Sequence, residues 1–187
     1  VSDPSPASDA PIHLLGRLLL ADPSLRDGVF DRSVILLAEH DTVEGAFGLI
    51  LNQPTGQVVG DLLKDQAFAP LQRIDVHRGG PVSREHLTFS AFWWQGSKLR
   101  WAIRISAEEA VKHSHRPDTL VRAFIGYSGW STGQLEQEIQ RRSWIVTHPA
   151  DDLLGQPHDR ELWSHVLRGI SPFHRILSAV PDHPDLN

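Results

Sequence analysis

"FIGYSGWSTGQLEQEI", residues 124–139, decides how this chain is read. An apolar run ends at Gly126, glycines 129 and 133 follow, and a helix-like segment opens behind them. Strand, glycine-rich turn and helix start are the parts of a phosphate cradle. Ser128 between glycines also suggests the nucleophile elbow of a hydrolase. Neither motif is complete. The elbow needs glycine at position 130, where two backbones crowd the serine, and this chain has Trp130. A Walker loop needs lysine and a hydroxyl residue after its last glycine, whereas Gln134 and Leu135 follow Gly133. The favoured reading is a corner in which glycines turn a strand into a helix while Tyr127 and Trp130 pack inside. A functional reading stands beside it. Backbone N–H groups around Gly129, Trp130, Gly133 and Gln134 would bind an anion weakly, since glycine admits positive φ and a helix start adds about half a positive charge.

Outward from this corner, "LVRAFIGY" (120–127) reads as the strand that feeds it and "SWIVTH" (143–148) as the strand after the helix. Ser131 and Gln134 have capping-box spacing, and Leu135 and Ile139 share one helix face. "SVILLAEH" (33–40) and "GAFGLILN" (45–52) flank "DTVE" as a β-hairpin. "HLTFSAFWW" (86–94) and "LRWAIRIS" (99–106) form a second hairpin around "QGSK". Trp93 and Trp94 then point to opposite faces, which leaves one indole exposed as a contact surface, or covered by a loop. "IHLLGRLLL" (12–20) is apolar enough for a buried strand, and "IDVHRGGPV" (74–82) is a strand running into a Gly79–Gly80–Pro81 corner. Helical spacing appears in "VVGDLLKDQAF" (58–68) and "DRELWSHVLRGI" (159–170). Ser106 with Glu109 opens a helix near Ala107 that ends before Pro117, and Ser171–Pro172 opens another. Hairpins interspersed with single helices predict one α+β domain over residues 11–180, between tails at 1–10 and 181–187.

The 187 residues contain no cysteine, which excludes disulfides, thiolate metal sites and cysteine nucleophiles. No apolar run approaches the ~20 residues of a membrane helix. "VSDPSPASDA" lacks the basic and apolar regions of an export signal, so a cytoplasmic location is expected. A net charge of −5 argues against a broad nucleic-acid footprint. Direct DNA binding is disfavoured further because no helix-turn-helix pair carries a basic recognition helix.

Metal and acid–base candidates are sparse. Glu39, His40 and Asp41 share a strand end, but alternation separates His40 from the carboxylates. His113 and His115 are two apart on a helix and do not face each other, and H-E-x-x-H is absent. No metal or cofactor is expected, and no catalytic set is assigned. Asn52 suits the satisfaction of backbone groups at a strand end, or a hydrogen bond to a ligand. Arg32–Ser33 opens a strand after a charged loop and could present a cation.

Four segments in register resemble the YqgE/AlgH family of bacterial proteins: "GRLLLADPSLRDGVFDRSVILLAEH" (16–40), "GAFGLILNQP" (45–54), "RGGPV" (78–82) and "GYSGWSTGQLEQEI" (126–139), with "SWIV" (143–146) behind them. Asp22, Gln53 and Ser128 depart from residues usual in the family; at Gln53 the change removes a positive charge. The resemblance implies a mostly antiparallel, branched sheet folded as a pseudo-barrel with helices outside. It brings no established reaction, and the family's usual label, transcriptional regulator, has no chemistry attached. The family pattern also suggests that Arg32, Ser33, Asn52, Gly79 and Gly80 meet the Gly129–Gln134 corner around one cleft. The reading that follows is a non-enzymatic regulatory domain binding a protein partner or a small anion. The alternative is a hydrolase of phosphorylated or nucleotide substrates that uses Glu39, His40 and His77, with Arg32 holding charge.

Overall fold

A computed structural model describes residues 13–179; the two tails expected from sequence lie outside the described residues. Strands β1 (Leu18–Ala21), β2 (Val34–Asp41) and β3 (Gly45–Ile50) form an antiparallel array, with β1 flanked on its other side by β9 (Trp144–Thr147). The near-continuous apolar runs of β1 and β2 have a simple cause: both faces are covered. Leu18, Leu20, Val34 and Leu36 pack towards Trp163, while Leu19, Ile35 and Leu37 pack towards Trp130 and Trp144.

The branch lies in β8 (Thr119–Trp130). Its first part pairs antiparallel with β6 (Val82–Gln95) and parallel with β5 (Asp75–Arg78), and its last residues pair with β3. β4 (Pro54–Val58) continues the sheet beyond β5, and β7 (Lys98–Ile105) pairs with β6. The result is a mixed sheet curled into a half-barrel, with α1 (Val59–Leu62), α2 (Ala107–Ser114), α3 (Gln134–Gln140), α4 (Glu161–Ile170) and α5 (Pro172–Ser178) around it. The branched α+β architecture predicted from sequence is the one observed. Both helix starts at Ser106 and Ser171 are also as expected, each hydroxyl accepting a backbone N–H three residues on.

The opening stretch behaves differently from its reading. The strand does not stop at Tyr127 but runs on to Trp130. Gly126 has φ +73°, and a Cβ there would lie 2.5 Å from the Gly80 carbonyl oxygen. A Cβ on Gly80 would lie 2.2 Å from the Tyr127 carbonyl oxygen. The glycines of β8 and of the 79–80 corner therefore serve each other. They let two backbones cross in contact where β8 exchanges β5 and β6 for β3. The helix starts later, behind Gly133 at φ +74°, and only half of the capping box forms: the Gln134 side chain accepts the Ser131 N–H, 3.0 Å away.

Other departures have local causes. The run 12–20 is not one strand, because Gly16 turns at φ +75° and β1 begins only at Leu18. The helical spacing at 58–68 yields one turn of α1 and then a 3₁₀ segment, Gln66–Leu71. Trp93 and Trp94 are both half-buried: Trp93 stacks on His113 of α2 at 5.6 Å, and Trp94 packs against the core and faces the segment 151–156. The exposed indole expected as a contact surface is thus already covered by the chain itself.

Candidate anion-binding cleft

The loop 26–33 is shaped by its own aspartate. Asp27 Oδ1 accepts the N–H groups of Val29 and Phe30 at 3.0 and 2.7 Å, and Gly28 turns the tip at φ +77°. Asn52 then clamps the loop to the sheet. Its Oδ1 accepts the Val34 N–H at 2.8 Å and its Nδ2 donates to the Arg32 carbonyl at 2.9 Å. Gln53 adds a second clamp, donating to the Val29 carbonyl at 2.8 Å, and its own carbonyl accepts the Arg78 N–H at 2.8 Å. Those bonds bring the end of β5, and with it the Gly79–Gly80 corner, against the charged loop.

The space left between them is a cleft of two adjoining lobes, about 440 and 400 Å³, sharing Gly28, Gln53 and Arg78. Gly80 and Arg84 line the first lobe over a floor that includes Ile50 and Ile125. Arg32, Asn52 and Arg160 line the second. Four arginines thus line the two lobes together, and among the described residues Asp31, in the second, is the single carboxylate lining them. Arg32 is braced by an aromatic face, its guanidinium carbon 5.1 Å from the Trp163 ring centre. Such a concentration of positive charge in a chain of net charge −5 sets up an attractive field for anions.

Behind the cleft, two buried imidazoles hold its walls together. His77 Nε2 donates to the His158 carbonyl at 2.9 Å, and His158 Nε2 donates to the Leu153 carbonyl at 3.0 Å. Burial pushes both histidines below their ordinary value, and the charge of nearby Arg122 adds to the effect; His158 falls to about 4. Both are therefore neutral donors at pH 7. Burial also lowers Arg122.

Of the residues singled out from sequence, Arg32, Asn52 and Gly80 line this cleft. Gly79 lies just beneath, its carbonyl accepting the Ile50 N–H at 3.0 Å and the Ser128 hydroxyl at 3.1 Å. Ser33 is buried below Arg32. Gly129, Trp130, Gly133 and Gln134 are elsewhere, at the Gly45 end of β3, whereas Asn52 follows its Ile50 end. Their polar groups serve the fold. Trp130 Nε1 donates to Glu138 at 2.9 Å, and Gln134 Nε2 donates to the same carboxylate at 3.0 Å. Ser128 is buried and bonded to Gly79, which answers the nucleophile question from the structural side. Arg78, Arg84 and Arg160 were not singled out by the sequence reading. Arg78 stands in the quoted "RGGPV", but the other two carry no sequence signal.

The acid–base candidates do not assemble. Glu39 pairs with Arg104, and His40 lies 2.6 Å from Glu136, both at the opposite end of β2 from Arg32. His77 is enclosed in the core. Among the described residues, no three side chains of metal-ligating type come together.

Residues 18–172 match the profile of a family described as AlgH-like. The chain belongs to the AlgH-like family. A UPF0301 protein of Streptomyces coelicolor is 36% identical over 185 residues, covering 93% of this chain and 95% of its own length. A UPF0301 protein of Parabacteroides distasonis is 32% identical, covering 94% of this chain and 92% of its own. The solution structure of the AlgH protein from Pseudomonas aeruginosa superposes with a TM-score of 0.66 at 25% identity, covering 95% and 99% of the two chains. Protein DIP2367 from Corynebacterium diphtheriae shares the fold at a TM-score of 0.67 and 23% identity, over 88% of this chain and 91% of that one. The family resemblance read from the glycine corners and the hairpin of β2 and β3 is thereby established, and the relatives are bacterial. Among the described residues, no helix is long and apolar enough to cross a membrane.

Proposed function

We propose that this protein is a cytoplasmic regulatory domain that binds a small phosphate-class anion in the arginine cleft without transforming it. The observation that carries the reading is that Arg32, Arg78, Arg84 and Arg160 line two adjoining lobes that share Arg78, the first lobe beside the Gly80 backbone. Guanidinium groups present planar N–H forks that match phosphate oxygens, and at a bidentate site they hold an oxyanion far better than a lone ammonium would. Arg78 and Arg84 make no side-chain hydrogen bond or ion pair among the described residues, so their donors are available to a ligand. The hydrolase alternative gains nothing from the geometry, because Glu39 and His40 lie at the other end of β2 and His77, though behind the cleft, is buried and bonded to the His158 carbonyl. Regulation fits a domain whose occupancy follows anion concentration, and a shared loop clamp would pass that occupancy to the sheet through Asn52 and Gln53.

The test is a titration of the protein with inorganic phosphate and with phosphorylated metabolites, read by calorimetry and by melting temperature. A ligand at 100 times its Kd stabilises the folded state by about 2.7 kcal/mol. For a chain of this size that is a rise of roughly 5–10 °C in Tm. Arg78→Ala should abolish the rise while leaving the ligand-free Tm within about 2 °C of the parent, as an exposed substitution does. No response to any phosphate-class anion at low salt would refute the proposal. Binding that survives Arg78→Ala would place the site elsewhere.

A further inference from the structure

The shape of the cleft says more than its charge. Resting on the anion-binding reading above, we infer that the ligand is bis-anionic: two phosphate-class groups joined by a short polar spacer, one in each lobe, with the spacer passing Arg78. A single phosphate fills only a small part of either lobe, since volumes of about 440 and 400 Å³ are each the size of a small-ligand site. The arginines are also distributed rather than clustered. Arg84 belongs to the first lobe alone, Arg32 and Arg160 belong to the second, and Arg78 stands in the wall that both share. A monoanion could engage one end or the other but not both.

The local backbone supports this division. At the start of β6 the register with β8 shifts between Val82 and Leu87, and Ser83 adopts φ +52°. That irregularity takes Arg84 out of the regular ladder and sets it in the first lobe, next to Gly80. On the far side, Arg160 immediately precedes α4, whose Trp163 lies under the Arg32 guanidinium, so the two second-lobe cations are carried by one packed unit. Gln53 lines both lobes beside Arg78, with its Nε2 held by the Val29 carbonyl, and Ile50 and Ile125 line the first lobe.

The discriminating pair of probes is fructose 6-phosphate and fructose 1,6-bisphosphate, which share a sugar and differ by one phosphate, with inorganic phosphate and tripolyphosphate alongside. Calorimetry at fixed ionic strength should give the bisphosphate at least a tenfold lower Kd than fructose 6-phosphate. Arg84→Ala and Arg160→Ala should each bring the bisphosphate down to about the affinity of the monophosphate, and the double variant should bind it more weakly than either single variant. Melting curves of both variants check that they are folded. Equal affinity for the two sugar phosphates would overturn the inference while leaving the anion site intact. So would tight binding of tripolyphosphate that ignores Arg84→Ala, because it would confine the ligand to one lobe. Failure of all four probes to bind would instead remove the anion site itself.

Discussion

The Nε2 of buried His77 donates to the carbonyl of His158 at 2.9 Å, and Arg78, next to His77, and Arg160, two residues after His158, line the same lobe of the cleft. One buried hydrogen bond therefore ties β5 to the segment before α4, and with them two of the cations that face the ligand space. The pair sits in a largely apolar setting, where a charged imidazole would cost several kcal/mol. The groups around the pair are Arg122, Asp75 and Asp159, and burial outweighs the two carboxylates in setting their protonation.

The sign of the resulting pH dependence follows from linkage. His77 and His158 bind protons less readily in the folded chain than in the unfolded one, so stability falls as pH drops. For His158 the loss begins near the ordinary value of 6.5 and continues to about 4. It amounts to something on the order of 3 kcal/mol across that window. Asp41, Glu109 and Glu136 are also held low, by hydrogen bonds in each case, and they add their losses below the carboxylate range. The interval between pH 7 and pH 5 thus isolates the histidines. Urea midpoints measured across it should decline for the parent chain, and His77→Gln, which keeps a donor but cannot titrate, should lessen the decline and leave the part carried by His158. A parent profile level from pH 7 to pH 5 would contradict the buried, neutral assignment.

Asn52 is predicted to be a stability residue as much as a site residue. Its side chain serves one backbone donor, Val34 N–H, and one backbone acceptor, the Arg32 carbonyl. Asn52→Ala strands both groups, at about 1–3 kcal/mol for each that stays dry. Asn52→Asp keeps the acceptor but replaces the donor by an oxygen facing the Arg32 carbonyl. Both variants should lower the urea midpoint, and both should weaken phosphate binding because Arg32 loses its anchor. A variant that binds normally at full stability would show that the loop 26–33 is held by Asp27 and Gln53 alone.

How much of this was visible in the sequence depends on the range of the interaction. The strands of the β2–β3 hairpin were legible because Val34 to Ala38 and Ala46 to Leu51 are apolar runs with turn residues between them. Ser106 and Ser171 announced helices because a cap acts over three residues. Gly126 reads as one of the glycines of a strand-to-helix turn, but its reason for being glycine is Gly80, far away in the chain and adjacent in space. The cleft was half legible. Arg32, Asn52 and Gly80 stand in motifs, but Arg84 and Arg160 enter by a strand irregularity and by the docking of α4, and neither leaves a periodic mark. The Gly129–Gln134 corner looked like a second half of the site, and β3 holds it at the other end of the sheet.

Two glycine-to-alanine changes separate contact from conformation. Gly80→Ala drives a methyl to 2.2 Å from the Tyr127 carbonyl oxygen, and the crossing of β8 with the 79–80 corner has no flexible side chain to yield. Loss of the folded state, or a drop of about 3 kcal/mol or more, is expected. Gly28→Ala meets nothing within 4 Å and suffers only from its φ of +77°. A cost of about 1 kcal/mol is the expectation there. Denaturation of both variants under identical conditions gives the comparison, and similar losses would mean that the crossing tolerates separation.

Glu138 offers the sharpest test of the corner where β8 meets α3. Its Oε2 accepts the indole N–H of Trp130 at 2.9 Å and that of Trp144 at 2.7 Å, while Oε1 accepts from Gln134. The two indoles meet edge to face, with ring centres 6.1 Å apart, so one carboxylate fixes the end of β8, the start of β9 and the helix between them. Glu138→Ala leaves two indole donors without a partner, at a cost of about 2–4 kcal/mol. Glu138→Gln keeps an amide oxygen for them and should recover at least half of that loss. The change should be visible in tryptophan fluorescence as well as in the urea midpoint, because both rings lose their anchor. Phosphate affinity should be the same in every folded Glu138 variant. A fall in affinity would mean that the corner and the arginine cleft communicate along β3, and that the separation of the two regions is structural only.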